Sequence, residues 1–169
     1  MALLRLVRHR SQELRETRAP RPRLLAGALL CIVTQLGCEP PDPELVPDEV
    51  LQSELGLEPG DRVHTVEIRT GTSEEAAPDS IEVRVGDLVQ FVSTDWMVHE
   101  VRFDTASLGS EALAFLERTR QAASPPLLER DARFVLTFED APPGRYPYGL
   151  QGNREPGRGV IVVTVDRRR

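Results

Sequence analysis

The sequence predicts an all-β fold, an antiparallel Greek-key β-sandwich with one short helical insertion. Its short segments alternate apolar and polar residues with the period that half-buried strands require. Clusters of Gly, Pro, Ser and Thr separate these segments, as turns do between strands. The 14 Pro, 12 Gly and aromatic content of 5% also favour a loop-rich β domain over a helical bundle. With 169 residues, the chain is long enough for one ordinary domain.

Six segments are predicted as strands, and the last of them is rich in Val. A Gly86-Asp87 pair separates the second segment from the third and predicts a hairpin or a strand kink there. Several short strands that close with a Val-rich one are typical of an antiparallel sandwich. The predicted strands are residues 63–69, 81–85, 88–92, 98–103, 134–138 and 160–165.

One helix is predicted over residues 110–123. Ser110 is a plausible N-cap, and Glu111 lies in the first turn, where the helix dipole favours an acid. Pro125 and Pro126 end the helix. The whole insertion, residues 104–130, is long for a sandwich loop. It either carries specific contacts or covers one end of the core.

Charge is distributed unevenly along the chain. Residues 1–23 contain seven Arg and two acids, whereas the chain from Cys38 onward contains 14 Arg and 25 acids. The acidic part of the chain from Cys38 onward repels the negatively charged groups of nucleic acids and of anionic lipids. We therefore exclude nucleic acids and anionic lipid head groups as partners. The excess of acids either favours cationic partner surfaces or only keeps the domain soluble.

The N-terminus is predicted to be an export signal, residues 1–37. A basic region precedes the apolar run 24–36, whose 13 residues are too few for a spanning helix. The Leu36-Gly37-Cys38 sequence resembles the lipobox of bacterial lipoproteins, although Gln35 stands where that motif prefers Leu. The alternatives are lipidation of Cys38, a plain signal peptide and a retained short anchor. We expect a bacterial location in the periplasm or cell envelope, anchored at the membrane.

A tether and a domain are predicted after the signal. Residues 38–61 are rich in Pro and acids, which favours an extended spacer or a disordered leader. Residues 62–166 form the predicted domain. Because Cys31 lies inside the signal, the mature chain keeps one Cys, and a disulfide within it is excluded.

The sequence contains little catalytic chemistry. It has three His, two Cys and no Lys, and it lacks a nucleophile elbow and a phosphate-binding loop. We therefore predict that the protein is not an enzyme.

Two segments together resemble the cupredoxin family of plastocyanin- and azurin-like blue copper proteins. The first runs from residue 81 through Gly86-Asp87 to the strand 88–92 and His99, which holds the position of the family's first copper ligand. The second, from Pro143 to Val163, resembles the final ligand loop. The resemblance covers about residues 62–166 and implies a copper-binding sandwich.

The remaining copper ligands of that family are missing. When Gly159 is aligned with the last Gly of the ligand loop, Gly149, Gly152 and Gly157 stand at the Cys, His and Met positions. Glycine has no side-chain donor, so we expect no cofactor. The alternative is a copper-binding electron carrier with an atypical site around His99, to which His64 and Met97 contribute.

Apolar residues near the former ligand end suggest a docking surface without a metal. Trp96, Met97 and His99 lie in the first ligand loop and Leu150 in the second. The resemblance implies a protein partner there, such as a membrane-bound electron-transfer complex, alongside the membrane itself through the Cys38 lipid. Alternatively, Trp96 only caps one end of the sandwich.

Overall fold

The structure is a computed structural model, and it describes residues 42–165. Two α-helices, α1 (Glu49–Leu55) and α2 (Ser110–Thr119), and two 3-10 turns, Pro43–Leu45 and Thr105–Ser107, accompany eight strands in this part of the chain. The strands are β1 (Val63–Thr70), β2 (Glu74–Ala77), β3 (Ser80–Arg84), β4 (Leu88–Ser93), β5 (Glu100–Phe103), β6 (Arg133–Thr137), β7 (Gly144–Gln151) and β8 (Gly157–Thr164).

The strands form two four-stranded sheets with a shared core. One sheet has the order β2-β1-β4-β6, and the other has the order β3-β8-β7-β5. Inward-facing residues of both sheets meet in one buried cluster, in which the Phe91 ring contacts the Tyr148 ring edge-on at a centroid distance of 5.0 Å. Phe115 and Leu116 of α2 join this cluster, so the predicted insertion covers part of the core. The predicted β-sandwich is confirmed.

Strand direction differs from the prediction in two places. The pairs β1–β4 and β3–β8 are parallel, so the sheets are mixed and not purely antiparallel. The Gly86-Asp87 turn does not close a hairpin, because β3 and β4 lie in different sheets. It carries the chain across the sandwich, and Gly86 has a φ of +99°, which an L side chain rarely adopts.

Pro147 lies inside a strand, although a proline there is expected only at a sheet edge or a bulge because it has no N–H to donate. Strand β7, which was not predicted as a strand, lies in the middle of its sheet. The Pro147 carbonyl accepts a hydrogen bond from the Asp104 N–H at 2.9 Å, just past the end of β5. In an antiparallel ladder the N–H and C=O of one residue point to the same side. The N–H that proline lacks would therefore point at Asp104, one residue past the last ladder pair of Phe103 and Tyr148. Only the return bond to the Asp104 carbonyl is missing, and that carbonyl accepts from the Ser107 N–H at 3.1 Å instead.

Helix α2 is shorter than predicted. Gly109 is its N-cap residue, and Ser110 is its first helical residue. The helix ends at Thr119 and not near Ala123, because Arg120 adopts a left-handed conformation that reverses the chain. The side chain of Gln121 then pairs with the backbone of β6, accepting from the Thr137 N–H at 2.7 Å and donating to the Thr137 carbonyl at 3.2 Å.

Part of the predicted tether packs on the domain. Leu51 of α1 is only 2% exposed, and Asp48 both caps α1 and pairs with Arg133 of β6 at 2.7 Å. The chain is thus fixed to the sheet well before residue 62. The predicted signal 1–37 and Cys38 lie outside the described residues. No helix within residues 42–165 is long and apolar enough to cross a membrane.

The turn that joins the two sheets is held by the Asp87 carboxylate. Asp87 is 5% exposed and accepts hydrogen bonds from His64 Nε2 at 2.8 Å and the Arg84 N–H at 3.0 Å. Arg62 Nε lies 3.3 Å from Asp87 Oδ1, an ion pair without hydrogen-bond geometry. Burial raises the pKa of Asp87, but these hydrogen bonds and charges outweigh it and hold the pKa below its ordinary value.

Replacing Asp87 by Asn is expected to destabilise the fold at neutral pH. The free energy of unfolding should fall by about 1–3 kcal/mol, because two part-buried donors lose a charged acceptor. A lowered carboxyl pKa stabilises the fold above the ordinary value of 3.8, and this contribution is lost as the pH falls through the lowered pKa. Urea unfolding at a series of pH values should therefore show the difference between wild type and Asp87→Asn shrinking in acid. A difference that stays constant down to strongly acidic pH would contradict this account.

Candidate functional site

The candidate site lies at the end of the sandwich where β4 leads into β5. The connecting turn, residues 94–99, is organised by Asp95. Its carboxylate accepts from the Thr70 N–H at 2.7 Å and the Met97 N–H at 2.7 Å. Burial raises the pKa of Asp95, but these two backbone donors and His99 outweigh it and lower the pKa overall. Asp95 is therefore an ionised acceptor that fixes the turn.

The side chain of His99, the last residue of this turn, is fully buried. Its Nδ1 is 2.8 Å from Glu74 Oε2, and its Nε2 is 2.9 Å from Asp95 Oδ1. Each ring nitrogen thus has a carboxyl group as its partner, and the ring cannot rotate without losing at least one of these contacts. The His99 backbone is fixed as well, through a two-way pair with Leu127 at 3.0 and 2.8 Å.

Glu74, the first residue of β2, is the buried partner of His99. Its side chain has no solvent exposure. The Arg154 N–H donates to its Oε1 at 3.2 Å, and the Thr70 hydroxyl donates to its Oε2 at 3.4 Å. The Glu74 N–H donates to the Glu155 carbonyl at 2.8 Å, which ties β2 to the loop between β7 and β8. Both carboxyl oxygens of Glu74 thus have hydrogen-bond partners within the protein.

Two of the three glycines at the expected ligand positions enclose Glu74. A Cβ atom at Gly152 would collide with the Glu74 carboxylate and would lie 2.7 Å from the Val98 carbonyl. A Cβ atom at Gly157 would collide with the Glu74 backbone carbonyl. Glycine at these two positions is therefore a steric requirement of a buried Glu74.

Gly149 lies on the other side of the sheet. Its neighbours Tyr148 and Leu150 face the core, so position 149 faces outward, in register with Arg102 and Arg158. A side chain there would point away from His99. The inward-facing residue of this strand nearest the site is Leu150, which is fully buried.

The side chains present do not fit a type-1 copper centre, which needs a thiolate and two imidazoles. Residues 42–165 contain no Cys. His64 bonds Asp87 at the start of β1, at the opposite end of the strand from Thr70, so it does not meet His99. Within the described range, no three His, Cys, Asp or Glu side chains are arranged to hold a metal ion. Glu74 and Asp95 lie at opposite nitrogens of one ring and cannot share an ion with it.

Four exposed apolar side chains lie above this buried cluster. Trp96 is 73% exposed, so it does not cap the sandwich. Val98 and Leu128 are adjacent, because they flank the antiparallel pair of His99 and Leu127. We call the four residues the Trp96 surface: Trp96, Met97, Val98 and Leu128.

Two residues predicted for the docking surface are elsewhere. Leu150 and His99 have no exposed area, so neither contacts a partner while the fold is intact. Glu74, Asp95 and Leu128 also belong to the site, and they were not predicted from the sequence. Asp95, two residues before Met97, carries the signal of an Asx turn. No local pattern marks Glu74, because its partner is 25 residues away.

Alanine at the three glycine positions should separate those that enclose Glu74 from the one that does not. We expect Gly152→Ala and Gly157→Ala to lower the free energy of unfolding by about 1–3 kcal/mol through overpacking. Gly149→Ala is the matched control, since its Cβ would meet nothing closer than 3.7 Å. Thermal and urea unfolding measure all three. Equal stability of the three variants would show that Glu74 does not fill this space.

Comparison with known proteins places the chain near one family. It is 33% identical over 87 residues to a plastocyanin of Synechococcus sp. (strain JA-2-3B'a(2-13)), an alignment that covers 51% of this chain and 61% of the plastocyanin. The chain thus spans about three-fifths of the length of that curated relative. No family model matches the sequence.

Solved amicyanin structures are also similar. A reduced-state proline variant is 24% identical with a TM-score of 0.42, covering 65% of this chain and 88% of the amicyanin. A methionine variant with Cu(I) is 25% identical with a TM-score of 0.43 and the same coverage. The likeness to plastocyanin and the two-sheet sandwich agree with the resemblance of residues 62–166. The chain is cupredoxin-like in both sequence and fold.

Proposed function

We propose that this cupredoxin-like chain is a binding or structural module that works without type-1 copper. It is exported, anchored at the membrane through Cys38, and acts as an accessory subunit of a membrane electron-transfer complex. The observation that carries the proposal is the Trp96 surface, four exposed apolar side chains at one end of the sandwich.

The composition of the Trp96 surface favours a protein partner. Trp and Met are enriched at the centres of protein interfaces, where they bury large areas. A contiguous set of exposed apolar residues is unusual on a monomer and marks an interaction site. The adjacent pair Val98 and Leu128 makes this set contiguous across two loops.

The turn that carries Trp96 is ordered before any partner binds. Asp95 ties the turn to the end of β1 at Thr70 and fixes the backbone within the turn at Met97. A preorganised surface loses less conformational entropy on association than a mobile loop. This supports a binding role for the turn.

The position of Cys38 in the sequence and the acidic composition of the chain support the rest of the proposal. Only three residues separate Cys38 from the first described residue, so a lipid there would hold the domain close to the membrane. The 25 acids and 14 Arg from Cys38 onward favour a cationic surface on the partner.

Truncating Trp96 is expected to abolish partner capture. Tagged wild-type protein and Trp96→Ala would be purified from solubilised membranes, and the co-purifying subunits quantified. Removing a Trp at the centre of an interface costs about 2 kcal/mol or more, which is over tenfold in affinity. Val50→Ala is the matched control, since Val50 is 51% exposed but belongs to α1. Equal capture by wild type and Trp96→Ala would refute the docking role.

The alternative is a copper-binding electron carrier with a site around His99, which the likeness to a plastocyanin favours. Cupric and cuprous ions added to the purified protein distinguish the two functions. The module is expected to show no intense charge-transfer absorption and no stoichiometric copper. Stoichiometric copper that is lost in His99→Ala would favour the carrier.

A further inference from the structure

We infer that Glu74 positions the Trp96 surface from inside the core. Its carboxylate holds His99, His99 holds Asp95, and Asp95 holds the turn that presents Trp96. In this chain the buried carboxylate fixes the imidazole, as a metal ion does in a copper protein. The inference names the positioning residue of the proposed binding site and rests on the proposed function only for the role of that surface.

The first link joins Glu74 to His99. Both side chains are fully buried, and their 2.8 Å contact has no competing solvent. A buried polar group that loses its hydrogen-bond partner is left unsatisfied, which costs its full desolvation penalty. His99 therefore keeps its position only while Glu74 is present.

The second link joins His99 to the surface turn. Asp95 Oδ1 receives both His99 Nε2 at 2.9 Å and the Met97 N–H at 2.7 Å. Its other oxygen receives the Thr70 N–H. One carboxylate thus connects the buried ring with the backbone next to Trp96, and a change in the ring's position acts on the turn directly.

The surroundings of Glu74 are built for this carboxylate. The loop between β7 and β8 donates the Arg154 N–H to Oε1 and approaches too closely for any side chain at Gly152 or Gly157. Glu74 is also the last residue paired in the β1–β2 ladder, opposite Thr70. The adjacent end of β1 and the loop between β7 and β8, which is remote in sequence, therefore fix its position independently of His99.

Amide hydrogen exchange of Met97 tests this relay in the free protein. In Glu74→Ala, we expect the Met97 N–H to exchange about tenfold faster, since its acceptor Asp95 loses the fixed His99 ring as a partner. Trp96 is the single Trp of the chain, so the fast component of its fluorescence anisotropy should rise in parallel. The matched control is Glu75→Ala, the next residue of β2, whose carboxylate pairs with exposed Arg69. This control should leave Met97 exchange unchanged.

A second variant keeps the test decisive if Glu74→Ala does not fold. Glu74→Gln has nearly the same shape and can accept from His99 Nδ1, but it brings no charge. We expect Met97 exchange several-fold faster than in wild type, with exchange of core amides such as Val163 unchanged. Wild-type exchange at Met97 in a folded Glu74 variant would overturn the inference. Because these readouts need no partner, a failure of partner capture would refute the proposed function and leave the relay standing.

Discussion

The buried imidazole ring of His99, held between Glu74 and Asp95, is the interaction on which this end of the molecule depends. It joins β2, the turn after β4, the start of β5 and, through Glu74, the loop between β7 and β8. These segments come from both sheets. The cluster therefore cross-links the sandwich at one end, while Asp87 and His64 do the same at the other. The hydrophobic core fills the space between these two polar clusters.

Burying these polar and charged side chains costs desolvation free energy, which explains the many hydrogen bonds of the cluster. The cost is compensated only when the bond geometry is good and every remaining lone pair has a partner. At Glu74 the compensation comes from His99, Thr70 and the Arg154 amide. At Asp95 it comes from His99 and two backbone amides. Such an arrangement specifies one conformation more strongly than an apolar contact of the same area, because its directional bonds admit few alternatives.

Alternation predicted the strands whose inner face is apolar and whose outer face is polar, and these strands are present. It failed at β2, where Glu74-Glu75-Ala76-Ala77 combines residues of low strand propensity that are held by pairing with β1. It also failed at β7, because a proline such as Pro147 is not expected in a central strand. Its presence there is explained only by the point at which β5 ends. Within the candidate site, His99 and Trp96 were predicted from a loop position. Glu74 was not, since its role arises only when residues 25 positions apart meet in the fold. That Leu150 points inward and Gly149 outward could be known only from the register of β7 with its neighbouring strands.

The pairing of Gln121 with β6 has a consequence for assembly. Strand β6 is at the border of its sheet, where an unpaired backbone normally offers a template to other chains. At Thr137 the carboxamide of Gln121 already makes both hydrogen bonds that a neighbouring strand would make. A second polypeptide cannot extend the sheet past this residue unless it first displaces a side chain that is itself buried. One amide group thereby protects the domain against edge-to-edge aggregation.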